Sequence, residues 1–169
     1  LNAGAGHVAL TANGDIRISR VATTGSGSDA LKITSLSGRL LDNGDTGGVN
    51  IVADHTSAMV TISTDSGIGA ATNAVETDIV NLTAHTTDTG GIYLDAENSL
   101  SLKRVTTHDG DIDIQAGEIT VLTVAAGGDH EVRLTSNTVI NDDEDETTAV
   151  SAARLSATAV GAVRLDTAV

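Results

Sequence analysis

The chain of 169 residues contains no cysteine, proline, phenylalanine or tryptophan, and it has a single tyrosine, Tyr93. Without cysteine there are no disulfides, thiolate metal sites or cysteine nucleophiles. Without Phe and Trp, a core must be assembled from Val, Ile, Leu and Ala, and rings on which a sugar can stack are scarce. Positive charge is scarce too: 9 Lys and Arg stand against 23 Asp and Glu, a formal net charge of −14. That balance repels nucleic acid and anionic membrane surfaces and makes cations the natural small partners. No stretch reaches the roughly 18 consecutive apolar residues of a spanning helix, and Leu1–Leu10 lacks the basic-then-apolar pattern of an export leader. The expectation is a soluble chain that does not insert into a membrane, with any leader already removed. Motifs of nucleophilic, zinc-peptidase and phosphate-binding chemistry (Gly-x-Ser-x-Gly, His-Glu-x-x-His, Gly-x4-Gly-Lys-Ser/Thr) are also missing.

What is present is alternation. Val8-Ala9-Leu10, Ile16-Arg17-Ile18, Val49-Asn50-Ile51, Ile92-Tyr93-Leu94 and Ile112-Asp113-Ile114 place apolar residues at every second position, the period of a half-buried strand. Between such runs lie Asn13-Gly14, Asn43-Gly44, Gly47-Gly48, Gly90-Gly91, Asp109-Gly110 and Gly127-Gly128, residue types that accept positive φ and turn the chain sharply.

The pattern repeats. Ile92 and Leu94 are echoed by Ile112 and Ile114, then by Val132 and Leu134, with Leu155 continuing the second position. A parallel series runs through Val60, Val80 and Leu100, and through Ile62, Leu82, Leu102 and Leu122. Upstream, Val8, Leu31, Val49 and Ile68 are expected to continue the first series, and Ile16 and Leu40 to begin the second. A unit of two or three short strands cannot bury its own apolar side chains, whereas stacked copies close a continuous core. The sequence therefore predicts a parallel β-solenoid, an all-β single domain over residues 1–169, of about eight coils of about 20 residues. Strands stacked about 4.8 Å apart would make a rod on the order of 38 Å long. An antiparallel β-sandwich is the rival, but it has no reason to keep one period through successive copies. The Ala-rich stretch from Thr147 to Val169 reads as one more coil, because Arg154-Leu155 and Arg164-Leu165 recur within it.

Gly-Gly-Ile-Tyr-Leu-Asp-Ala (90–96), its echo Gly-Asp-Ile-Asp-Ile-Gln-Ala (110–116), Gly-His-Val-Ala-Leu-Thr-Ala (6–12) and Gly-Gly-Val-Asn-Ile-Val-Ala (47–53) share a glycine corner, alternating apolar residues and a closing Ala. This pattern resembles the filamentous haemagglutinin-like repeats of very large bacterial surface proteins. The resemblance implies a right-handed parallel β-helix cut from a longer exported adhesin or filament at the bacterial cell surface or outside the cell. The acidic insertion from Asn141 to Glu146 departs from it. Neither terminus reads as a polar cap, which fits an interior segment flanked by further repeats of the same polypeptide.

Folding the sequence into columns brings candidate chemistry together. Asp109 and Asp129 share a corner column, with Asp111 and Glu131 beside them. Stacked carboxylates repel, and a hard cation such as calcium would relieve that, so these four are the candidate calcium ligands. The run Asp-Gly-Asp-Ile-Asp is neither an EF-hand loop nor a Gly-Gly-x-Gly-x-Asp repeat, and the competing reading is a solvated corner. Tyr93, Asp113, Arg133 and Arg154 form an outward column in which Asp113 and Arg133 make an exposed ion pair. Asp142–Glu146 reads as a solvated acidic loop. The five histidines (His7, His55, His85, His108, His130) share no column and read as surface residues. Thr86-Thr87 and Thr106-Thr107 align for only two rungs, too few for an ice-binding ladder. Asn81-Leu82-Thr83 matches a glycosylation acceptor that is expected to carry nothing.

The resulting expectation is a non-enzymatic spacer, stalk or adhesin segment without a cofactor, contacting a cell-surface receptor or glycan. Two alternatives stand beside it: a polysaccharide lyase or hydrolase built on a β-helix, and a calcium-dependent adhesion module.

Overall fold

The computed structural model describes residues 1–44, 48–142, 147 and 149–168, and among these there is no helix. Three parallel sheets wind into a β-solenoid of about 7 turns, roughly 22 residues apart. The first sheet is built from Val21–Thr23, Ile51–Ala53, Val75–Ile79, Ile92–Ala96, Ile112–Ala116, Glu131–Ser136 and Arg154–Ala159. The second runs through Val8–Ala12, Gly27–Ser35, Ala58–Thr64, Asn81–Thr86, Leu100–Thr107, Ile119–Val121, Ile140–Asp142 and Val163–Arg164. Val124–Ala126, Val150–Ser151 and Thr167–Ala168 extend its upper coils. Ile16–Ile18 pairs with Leu40–Asp42 in a short third sheet.

Alternation sets which side chains fill the interior. In Ala58–Thr64, Val75–Ile79 and Asn81–Thr86 every second residue is buried, so each rung presents its aliphatics to one core. Parallel in-register pairing then places like above like. One ladder climbs Ile16, Leu40, Ile68, Ile92, Ile112, Val132 and Leu155. A facing ladder climbs Leu10, Ile33, Ile62, Ala84, Val105, Val124 and Val150.

The expected superposition of Ile92, Ile112 and Val132 is present, and four details of the expected register are corrected. Ile16 and Leu40 begin the ladder of Ile92, while Val8 and Leu31 belong to the other sheet, because two aliphatic series of equal period cannot be told apart by spacing. Val60 stacks on Leu82 and not on Val80. Leu155 stacks on Val132 and not on Leu134. Leu122 is not a core rung: Val121 takes that place above Leu102, and Leu122 is pushed half out of the interior.

The last correction has a local cause. Leu102 pairs with Leu82 but Arg104 pairs with Thr83, so Lys103 is an inserted residue, a β-bulge. One coil later the strand resumes at Val124 on Val105, leaving Leu122 and Thr123 over the bulge. Two coils later the strand ends at Asp142 and pairing resumes at Val150. Residues 143–146 of the acidic insertion, and Gly47 of the Gly47-Gly48 corner, lie outside the described residues.

The glycine corners serve two purposes, only one of which concerns φ. Gly90 sits at φ 146°, whereas Gly110 has an ordinary φ and is required by proximity: a Cβ there would lie 2.4 Å from the carbonyl carbon and oxygen of Gly90. One glycine thus makes room for the next coil's glycine.

Leu102→Ala, at a fully buried rung, is expected to cost about 2–5 kcal/mol of stability, and Leu122→Ala less than about 1.5 kcal/mol. Urea unfolding of the two variants checks this, and equal losses would contradict the bulged register. Gly110→Ala is expected to cost at least about 1–3 kcal/mol in the same measurement, because backbone rather than a flexible side chain must yield.

Candidate functional site

Among the described residues, the ion pairs gather where the corner at Asp109–Asp111 meets the next coil. Gly110 and Gly127 allow close approach there, since a Cβ on Gly127 would lie 2.0 Å from the His108 carbonyl oxygen. The parallel register sets Val132 over Ile112, which places His130 and Glu131 over the corner. The His130 ring enters between two carboxylates: Nε2 lies 2.9 Å from Asp109 Oδ1, and Nδ1 lies 3.0 Å from Asp111 Oδ1. A neutral imidazole has one N–H, so two short contacts to acceptor-only carboxylates require the doubly protonated, cationic ring. Asp111 Oδ1 also accepts the backbone N–H of Glu131 at 2.9 Å.

The electrostatics follow this geometry. The Asp111 hydrogen bond, joined by that to Asp109, raises the His130 pKa above its ordinary 6.5. Donation from the Glu131 amide, then from His130, lowers the Asp111 pKa below 3.8. Beside this clamp, Arg133 Nη1 lies 3.4 Å from Asp113 Oδ2, and Nη2 lies 3.4 Å from Glu131 Oε2. Both contacts are solvent-accessible and contribute about 0–1 kcal/mol each. Burial raises the Asp113 pKa, with Arg133 opposing, and burial followed by the charges of Asp111 and Asp113 raises that of Tyr93. These residues line a hollow of about 130 Å³ bounded by Ala71, Tyr93, Asp111, Asp113, Glu131 and Arg133.

Of the four candidate calcium ligands, Asp109 and Asp111 converge, but on His130. Asp129 is exposed on the corner, and Glu131 turns its carboxylate to Arg133. Among the described residues no three His, Asp or Glu side chains converge in a way that could hold a metal ion. A cation bound to Asp109 and Asp111 would have to displace the imidazolium from both.

The outward column of Tyr93, Asp113 and Arg133 is present, with the expected ion pair, but Ser156 rather than Arg154 continues it. Arg154 stands over Glu131 instead. Thr86 and Thr107 face inward and are buried, donating to the carbonyls of Gly90 at 3.1 Å and Gly110 at 2.5 Å. They are corner fasteners and not a surface ladder. Sequence reasoning missed His130, although the signal was there: it lies one coil beyond both Asp109 and Asp111. His85 likewise bonds across coils, with Nε2 2.8 Å from Ser63 Oγ.

Compared with protein-family models, with curated proteins and with solved structures, the chain finds no match. Its function is therefore argued from the fold and from these side chains.

The clamp makes stability depend on pH in a defined direction. A His with a raised folded pKa stabilises fully below about 6.5 and loses that contribution as pH climbs through the raised value. Asp111, with its lowered pKa, contributes above about 3.8 and loses its contribution as pH falls through the lowered value. The melting temperature of the wild type is expected to exceed that of His130→Gln most between about pH 4 and 6.5, the gap narrowing toward pH 9. A gap that stays constant across thermal melts in that range would contradict the ionic clamp.

Proposed function

We propose that this chain is a non-enzymatic structural module, a stiff β-solenoid segment that spaces or displays parts of a larger secreted or cell-surface protein. The observation that carries this reading is the parallel stack of coils around an aliphatic interior. Each inner strand shares backbone hydrogen bonds with the coils on both sides, so load along the stack is borne by many parallel bonds at once. The edge at Arg154–Ala159 leaves Leu155 and Ala157 only partly covered, and Val160 is 86% exposed with Val163 42% exposed beside it. We read further coils of the same kind as its natural partner. The resemblance of residues 90–96 and 110–116 to haemagglutinin-like repeats supports placement on a bacterial surface protein.

Pulling the chain from end to end in single-molecule force spectroscopy tests the mechanical role. The expected record is a ladder of unfolding steps, each releasing about 70 Å of contour length for one coil. Collapse in a single low-force event would contradict a load-bearing stack. An enzymatic role predicts instead that acidic polysaccharides incubated with the protein release reducing or unsaturated ends; the expected result is none.

A further inference from the structure

The second sheet separates its charges from the rest of the molecule. Among the strands of this sheet from Val8 to Ala126, in a chain with 23 Asp and Glu, Asp29 is the one acidic residue, and Asp142 ends the strand that follows. The same strands contain both lysines of the chain, Lys32 and Lys103, together with Arg104 and His85. The first sheet is the reverse, with Glu76, Asp78, Asp95, Asp113 and Glu131 on its strands against Arg133 alone within residues 75–136. The bulge adds to the contrast. Between buried Leu102 and Val105 it turns two consecutive residues, Lys103 and Arg104, away from the core. Neither side chain has a hydrogen bond or ion pair among the described residues.

Beside the bulge the sheet is concave. A groove of about 500 Å³ is lined by Thr83, His85, Thr87, Arg104, Thr106 and His108, with hydroxyl, imidazole and guanidinium groups along its length. Register places Arg104 beside Thr83 and Thr106 beside His85, so the guanidinium stands at one end and hydroxyl and imidazole groups continue from it. The far end closes at the corner, where Thr87 Oγ1 donates to Asp65 Oδ1 at 3.3 Å and Asp88 follows in sequence. An anionic group is therefore welcome only at the Arg104 end. Carboxylates of the opposite sheet lie on the far side of a core about 10 Å thick and do not line the groove.

We propose that this groove binds an acidic oligosaccharide, a uronate-type carboxylate pairing with Arg104 while sugar hydroxyls bond Thr83, His85 and Thr106. The volume suits a few sugar rings, the guanidinium fork matches a carboxylate, and the hydroxyl-rich wall matches a polyol. A nucleic acid would want stacking rings and several phosphate contacts, which this face lacks. The inference goes beyond the mechanical role. A stalk that binds nothing would still unfold coil by coil, so sugar binding and load-bearing fail independently.

The test is isothermal titration calorimetry of the intact chain with tetragalacturonate and with its methyl ester at low salt. The free acid is expected to bind in the millimolar range or tighter, and esterification to weaken it about tenfold or more. Arg104→Gln is expected to weaken the acid by about tenfold with an unchanged melting temperature, Arg104→Lys by less, and Lys32→Gln by less than about threefold. Absence of binding, equal binding of acid and ester, or indifference to Arg104→Gln overturns the proposal. Concentration-dependent self-association that Arg104→Gln abolishes also overturns it, since the groove would then seat the acidic sheet of a second copy.

Discussion

Parallel, in-register stacking of one coil on the next is the constraint from which the rest of this structure follows. Coils separated by the strand spacing of about 4.8 Å bring each side chain directly over its counterpart, so a column must consist of groups that tolerate their own kind. Aliphatic side chains do, and the two seven-membered ladders fill the interior without a large ring. At Gly90 and Gly110 the same spacing brings backbone against backbone, and glycine answers a steric demand created by the neighbouring coil rather than by the local turn. The buried hydroxyls of Thr86 and Thr107 close the same corners from inside, offsetting the cost of carbonyls turned away from the strand ladder.

Stacked carboxylates repel one another, and the chain has many of them. Some are relieved by cations inserted between coils: His130 between Asp109 and Asp111, and Arg133 between Asp113 and Glu131. Others are diluted by neutral neighbours, as where Asp95, adjacent to Glu76 on one side, meets Gln115 on the other. The His130 clamp makes the shorter contacts of the two, 2.9 and 3.0 Å against 3.4 Å, and makes both only with its ring charged. Its stabilisation is therefore lost as pH rises and the ring deprotonates, whereas the Arg133 guanidinium stays charged and its pair with Asp113 is lost only when that carboxylate protonates.

The winding was legible in the sequence wherever the coil length stays constant. From Ile92 to Val132 the interval is uniform, and the expected superposition of Ile92, Ile112 and Val132 is what the structure contains. Where coils differ in length, counting fails although stacking does not. Successive rungs Val8, Leu31, Val60 and Leu82 are joined by loops of unequal size, and insertions at corners leave strand pairing intact while sequence intervals drift. The bulge at Lys103 was hidden for a related reason: Leu102 and Val105 are both inward, and a period of two cannot carry that pattern. The candidate site was legible in half. Asp109 and Asp111 were found as a repulsive pair, but their partner was sought among cations from solution, when the next coil supplies His130.

The same stacking rule explains why the second sheet is where cations stand free. A column of like charges on adjacent rungs would repel as carboxylates do, yet Lys32 and Arg104 occupy one outward column, separated by Thr61 and Thr83. Three rungs set them about 14 Å apart, beyond the Debye length of about 8 Å at physiological salt, so each is electrostatically independent. Neutral hydroxyls between them cost nothing to stack and present donors and acceptors outward. With Asp29 the one carboxylate on these strands and paired with none of them, Lys32, Lys103 and Arg104 keep their hydrogen-bonding capacity for groups outside the chain. An acidic protein thereby retains one face whose chemistry is opposite in sign to its net charge, because spacing cations apart is the only arrangement a stacked sheet offers that needs no internal partner.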